Sequence, residues 1–332
     1  MGKQCSNARE IGGMPIRHIV PLALTGLCFA LGAGCSSTRT SSEQQNQSAS
    51  DSSRNRTETP KSEPMSGEAK SVQPQVHDEI GRQEAQKRAE LLAEAQSALE
   101  ETRGAIAALD KGDKQAALAA LARAKGKLDV VIARDPKLAL APVDVNTTIL
   151  DLYATVDAVK GAVKRAKDDL ADNRIQQARE LLAGLASEAR IDVVELPLAT
   201  YPAALQAVVP LIDAGKNDEA KAALYTALNT LVIETIVIPL PKVRAQAMLK
   251  EADQLASTPN RTQEQNDRLN TLLDAARGQI QLAEALGYGG KDEFKPLYAQ
   301  LDEIKSKTQG GKSGRGFFDK INQSLKSLKF HA

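Results

Sequence analysis

"RIDVVELPLATYP", residues Arg190–Pro202, and "NTLVIETIVIPLP", residues Asn229–Pro241, decide how this chain is read. Each is a β-branched run ended by proline, set among alanine, leucine, lysine and glutamate at helical spacing. Valine and isoleucine suit a pleated surface, and proline, which has no N–H, ends pairing at a sheet edge. "LDVVIARDP" (Leu128–Pro136) is a third such run, and "VNTTILDLYAT" (Val145–Thr155) has similar character. Together they predict a small sheet assembled from distant segments. Buried helix is the competing reading of each short apolar run.

Between these runs lie three related stretches: "LDKGDKQAALAAL" (Leu109–Leu121), "LADNRIQQARELL" (Leu170–Leu182) and "IDAGKNDEAKAAL" (Ile212–Leu224). Each has an apolar residue three before Gly112, Asn173 or Gly215, then Ala117, Ala178 or Ala220 five after it. Leu121, Leu182 or Leu224 follows nine after the turn residue. A left-handed Gly or Asn closing one helix before another amphipathic helix predicts an αα-hairpin. The turns fall 61 and then 42 positions apart. A tetratricopeptide solenoid needs a fixed period near 34, so a regular array is rejected. Pro241–Ala256 and Thr262–Leu286 predict two further helices, the second closed at "LGYGG". "KDEFKPLYAQLDEIK" predicts another, with Asp292 as its N-cap and Pro296 near its first turn. The expected fold is mainly α, helix-dominated α+β, with αα-hairpins packed around a small sheet of short strands.

The 332 residues carry 43 basic and 42 acidic groups, so no net field favours nucleic acid. There is no tryptophan, and aromatics are 3% of the chain, which predicts a core of Ala, Leu, Val and Ile. Composition divides the chain into a signal over 1–34, a disordered tether over 35–77, a helical domain over 78–308, and a flexible linker with a basic helix over 309–332. The tether lacks the apolar side chains that would repay its ordering entropy.

"MPIRHIVPLALTGLCFALGAGC", Met14–Cys35, has the form of a bacterial export signal: Arg17, an apolar stretch Ile19–Leu31, then small residues before Cys35. That stretch is too short to span a bilayer as a helix. The end resembles a lipobox, although Gly32 stands where leucine is preferred, and a lipobox implies acylation of Cys35. Conventional cleavage, leaving a soluble periplasmic protein, is the alternative. Ser36 after the cysteine points to the outer membrane facing the periplasm. "MGKQCS" also fits a short myristoylation pattern on Gly2, with Cys5 beside it, and Met14 is an alternative start.

The stretch Arg190–Leu224, "TIVIPLPKVRAQAMLKEA" and "AEALGYGGKDEFKPLY" together resemble the YfdX family of bacterial envelope proteins over roughly Glu79–Lys307. The resemblance implies a mainly helical, exported protein associated with stress tolerance. It brings no catalytic motif to transfer.

Chemistry in the domain is sparse. The histidines are His18, His77 and His331, and the cysteines are Cys5, Cys28 and Cys35, all outside residues 78–308. Nucleophile–histidine pairs and HExxH zinc sites are thereby excluded from that span, and no cofactor or metal is expected. Asp168–Asp169 and Asp302–Glu303 read as solvated faces. "GGKSGRG" lacks the first glycine of a phosphate loop, since Ser306 stands there. Tyr201, Tyr225, Tyr288 and Tyr298 are candidates to line a ligand pocket, or else pack where helices meet the sheet. In the tail, Phe317, Phe318, Ile321, Leu325 and Leu328 with Lys320, Lys326 and Lys329 form a basic amphipathic helix. It would lie on a membrane, meet a partner, or fold back on its own domain. The expected function is non-enzymatic binding or scaffolding in the envelope. The alternative is a small-molecule module with a pocket between hairpins and sheet. The expected partners are a membrane through Cys35 and an unidentified protein or small molecule; homo-oligomers are compatible.

Overall fold

The computed structural model describes residues 64–328. The export signal, Cys35 and most of the expected tether lie outside the described residues. Three hairpins each feed one strand. α3 (Ala93–Asp110) and α4 (Lys114–Arg134) precede β1 (Leu140–Leu150). α5 (Val156–Ala171) and α6 (Ile175–Ala183) precede β2 (Glu188–Pro197), while α7 (Tyr201–Asp213) and α8 (Asn217–Leu228) precede β3 (Val232–Pro239). The three turn residues adopt positive φ: Gly112 at 71°, Asn173 at 58° and Gly215 at 76°. Glycine enters that region without steric penalty, and asparagine at less than the usual cost.

The strands form one antiparallel sheet in the order β1-β2-β3. The two prolines of each opening stretch do different work. Pro197 and Pro239 are the last residues of β2 and β3. Pro202 and Pro241 occupy the first turns of α7 and of α9 (Leu240–Ser257), where a missing N–H costs no hydrogen bond. A bulge between Pro142 and Asp144 shifts β1 across its pleat. Ala141 and Val143 thereby join the core of the first and third hairpins, while Val145 packs with Ile191 and Val193 beneath α2 (Gln73–Ala89). The opposite face, with Asn146, Thr148 and Arg190, is exposed.

Leu128–Pro136 corrects the sequence reading. It is not a strand but the end of α4, which stops at Arg134. Ala117, Ala120, Leu121, Ala124, Leu128 and Val131 are buried at steps of three, one, three, four and three, so Val131 continues a helical stripe that outweighs its β propensity. The strand comes later, overlapping the fourth candidate.

The remaining helices pack together: α10 (Gln263–Ala285), α11 (Lys291–Thr308) and α12 (Asp319–Ser327) join α9 and the short α1 (Gly67–Ser71) in a second core. Thr262 caps α10 with a full capping box, and Gly287 (φ 82°) follows its end. The N-cap of α11 is Gly290, not Asp292: the Glu293 carboxylate accepts from Gly290 N–H at 2.7 Å. Two boundaries also move. Residues 67–77, expected in the tether, are largely helical because Val72, Val76 and Ile80 recur every four residues and are all buried. The linker after α11 is held to the domain, Gly314 N–H donating to Ala256 O at 3.1 Å. Among the described residues no helix is long and apolar enough to cross a membrane.

Candidate functional site

The four candidate tyrosines do not meet. Tyr201 is fully buried in the core of the first and third hairpins, whereas Tyr225 on α8 is 53% exposed. Tyr288 and Tyr298 border the second core. The Tyr288 hydroxyl accepts from Ser187 N–H (2.9 Å) and donates to Glu188 (2.8 Å), while Tyr298 donates to Glu284 (2.6 Å). Burial first, and then those carboxylates, push both phenols up, so both stay protonated donors. They fasten β2 and α11 to their surroundings and do not line a common pocket.

The tail is placed just as firmly. Phe318, Ile321 and Leu325 are fully buried in the second core, Leu328 is buried, and Phe317 is half-buried against it. The apolar stripe is covered by the chain's own α9 and α11, so the tail is not presented to a membrane or partner. Of the carboxylate pairs, Asp169 and Asp302 accept from Arg174 and Arg277, and Glu303 from Lys307. All are surface ion pairs.

The most enclosed charged side chain among the described residues escaped sequence reasoning. Arg244, 2% exposed, donates through Nη2 to Asp151 Oδ2 (2.5 Å) and to Gln73 Oε1 (3.4 Å). Asp151 Oδ1 accepts from Ser187 Oγ (3.1 Å). This ties together α9, the start of α2, the segment after β1, and the segment before β2. A signal existed, since Leu240, Arg244 and Met248 share one apolar stripe at steps of four. Arg261 serves similarly. It donates to the carbonyls of Ala256 (3.0 Å) and Lys312 (2.8 Å), closing the end of α9 against the linker.

Several large apolar side chains are exposed among the charged residues of the surface. Leu170, Ile175 and Leu182 are exposed on the second hairpin, Ile149 and Leu150 at the end of β1, and Val232 and Ile233 at the start of β3. There is also a cavity of about 360 Å³ between the first hairpin and β1, with Leu92, Val131, Leu138 and Pro142 in its lining and Arg134 paired to Glu94 at its rim. Near β3, Glu195 lies diagonal to Glu234 on one face of the sheet. Burial, and then the Glu234 charge, raise the Glu195 acid above the usual glutamate range, with Lys87 opposing. The fold therefore disfavours the ionised form, and stability falls as pH rises from the unfolded through the folded value. Glu195→Gln should raise Tm near pH 7 and leave it unchanged near pH 4. Thermal melts at the two pH values check this.

A search of curated proteins finds no match. A solved structure of Salmonella Typhi YfdX is similar at 17% identity, covering 45% of this chain and 93% of that one, with a TM-score of 0.31. The family model described as YfdX protein matches residues 98–237. This is a shorter span than the resemblance over 79–307, and "LGYGG" lies outside it. The match runs from within α3 to within β3, taking in all three hairpin–strand units. Residues 98–237 of this chain are a YfdX domain.

Proposed function

We propose that this chain is a non-enzymatic envelope protein with a stress-related binding or scaffolding role, exported by Met14–Cys35 and held on the outer membrane by acyl chains on Cys35. One observation carries the binding reading: among the described residues, large apolar side chains of the second hairpin and the strand ends are exposed. Exposed apolar side chains clustered on one element are candidate interaction sites. The envelope assignment is supported by the signal sequence, and the stress role by the YfdX domain. In-cell crosslinking followed by identification of the captured proteins tests the reading, and capture of nothing beyond lipoprotein-processing enzymes would contradict it. Cys35→Ser tests the anchor: the protein should leave the membrane fraction or remain an uncleaved precursor. An unmodified mature N-terminus in mass spectrometry would end that part of the proposal.

The cavity between the first hairpin and β1 favours a second reading, a module for small apolar ligands. Its apolar lining and charged rim suit a compact amphiphile. Discrete compounds raising Tm, with the increase lost in Val131→Asp, would favour it.

A further inference from the structure

The outer strands of a sheet each leave one row of backbone N–H and C=O groups unpaired, a template for another chain unless something blocks it. The two outer strands here differ. On β1, Pro142 has no N–H, its carbonyl accepts from Leu92 N–H (3.0 Å), and the bulge beside it breaks the regular ladder. Val145 N–H also donates to Asp144 Oδ1 at 2.9 Å. On β3, no described residue outside β2 makes a backbone hydrogen bond to Val232–Ile238. The strand is β-branched at every position of that run except Glu234. Ile233 is 63% exposed, and Val232 and Glu234 are exposed beside it.

Charge indicates what would fit. Glu234 and Glu195 share one face, with Lys87 of α2 the cation close to both, and Lys87 already donates to Glu90 at 3.0 Å. A second copy laid along β3 would add two more carboxylates to the same edge, and like charges across neighbouring strands are destabilising. A strand carrying lysine or arginine would instead relieve the repulsion. We propose that the free edge of β3 receives an extended, β-branched and basic peptide segment of a partner protein as a fourth strand. This rests on the reading of the domain as a binding module and specifies one of its surfaces. Backbone pairing would supply affinity, and the alternating side chains specificity.

The test uses the full-length chain and a fluorescein-labelled Thr-Lys-Val-Lys-Val-Lys-Val-Thr peptide blocked at both ends, beside its Glu-for-Lys counterpart. In about 0.15 M salt the lysine peptide should bind at least about tenfold tighter, and Glu234→Lys should reverse the preference. Binding should also slow amide exchange at alternate residues of β3. Should Glu234→Lys fold poorly, Glu234→Gln should still narrow the preference. Equal binding of the two peptides, no binding of either up to about 1 mM, or protection of β3 by self-association alone would each overturn the proposal. Partner crosslinks retained at Ile175 in the Glu234→Lys protein would show that any such failure belongs to β3 and not to the binding reading.

Discussion

Arg244→Ala should cost about 3–5 kcal/mol of stability, because it leaves the Asp151 carboxylate enclosed without its cation. For a domain of this size that corresponds to a fall in Tm on the order of 10 °C. The loss should exceed that of any surface pair such as Arg123–Glu101, whose arginine is 56% exposed and whose removal should cost under about 1 kcal/mol. Arg244→Met combined with Asp151→Asn should recover much of the loss, since neither partner then carries a buried unpaired charge. Thermal and urea unfolding of the full-length chain measure both. A shift for Arg244→Ala no larger than that of Arg123→Ala would mean that the network does not join the helices to the sheet.

Ile321→Asp together with Leu325→Asp should release α12. Each substitution places a carboxylate where an aliphatic side chain is fully buried, and burying a large apolar side chain contributes roughly 1.5–3 kcal/mol. Undocking limits the total cost, so Tm should fall by several degrees while amides of α12 lose protection. The wild-type chain should not gain helix content on anionic vesicles, because the stripe that would enter lipid is covered. An unchanged Tm in the double variant, with vesicle binding by the wild type, would contradict the docked tail.

The hairpins were legible because their turns need left-handed backbone, which Gly112, Asn173 and Gly215 announce, and because small alanines sit at the helix crossings. The strands after the second and third hairpins were legible from their β-branched runs and closing prolines. The first strand was legible only in its second half, through Val145–Thr155, and Leu128–Pro136 misled because Val130 and Val131 have the residue types of a strand in the register of a helix. In the tail, amphipathicity showed that α12 had an apolar face, and only the fold shows what covers it. Val72 and Val76 were hidden in polar surroundings, where they join Ala69 and Ile80 in ordering the helices against a core already present. The four tyrosines were equally opaque, because residue type says nothing of which cores they enter. Arg244 was readable only as an arginine interrupting an apolar stripe, and its partner Asp151 lies 93 positions away.

Amide hydrogen exchange on the full-length chain at low concentration tests most directly the account of one three-stranded sheet, each strand fed by a helical hairpin, with an open β3 edge. A central strand pairs on both sides and an outer strand on one. Ile191–Leu196 should therefore exchange slowly at every residue, while Val232–Ile238 should alternate between slow and fast. Fast exchange throughout both segments would remove the sheet, and uniform slow exchange along β3 would show its edge already covered.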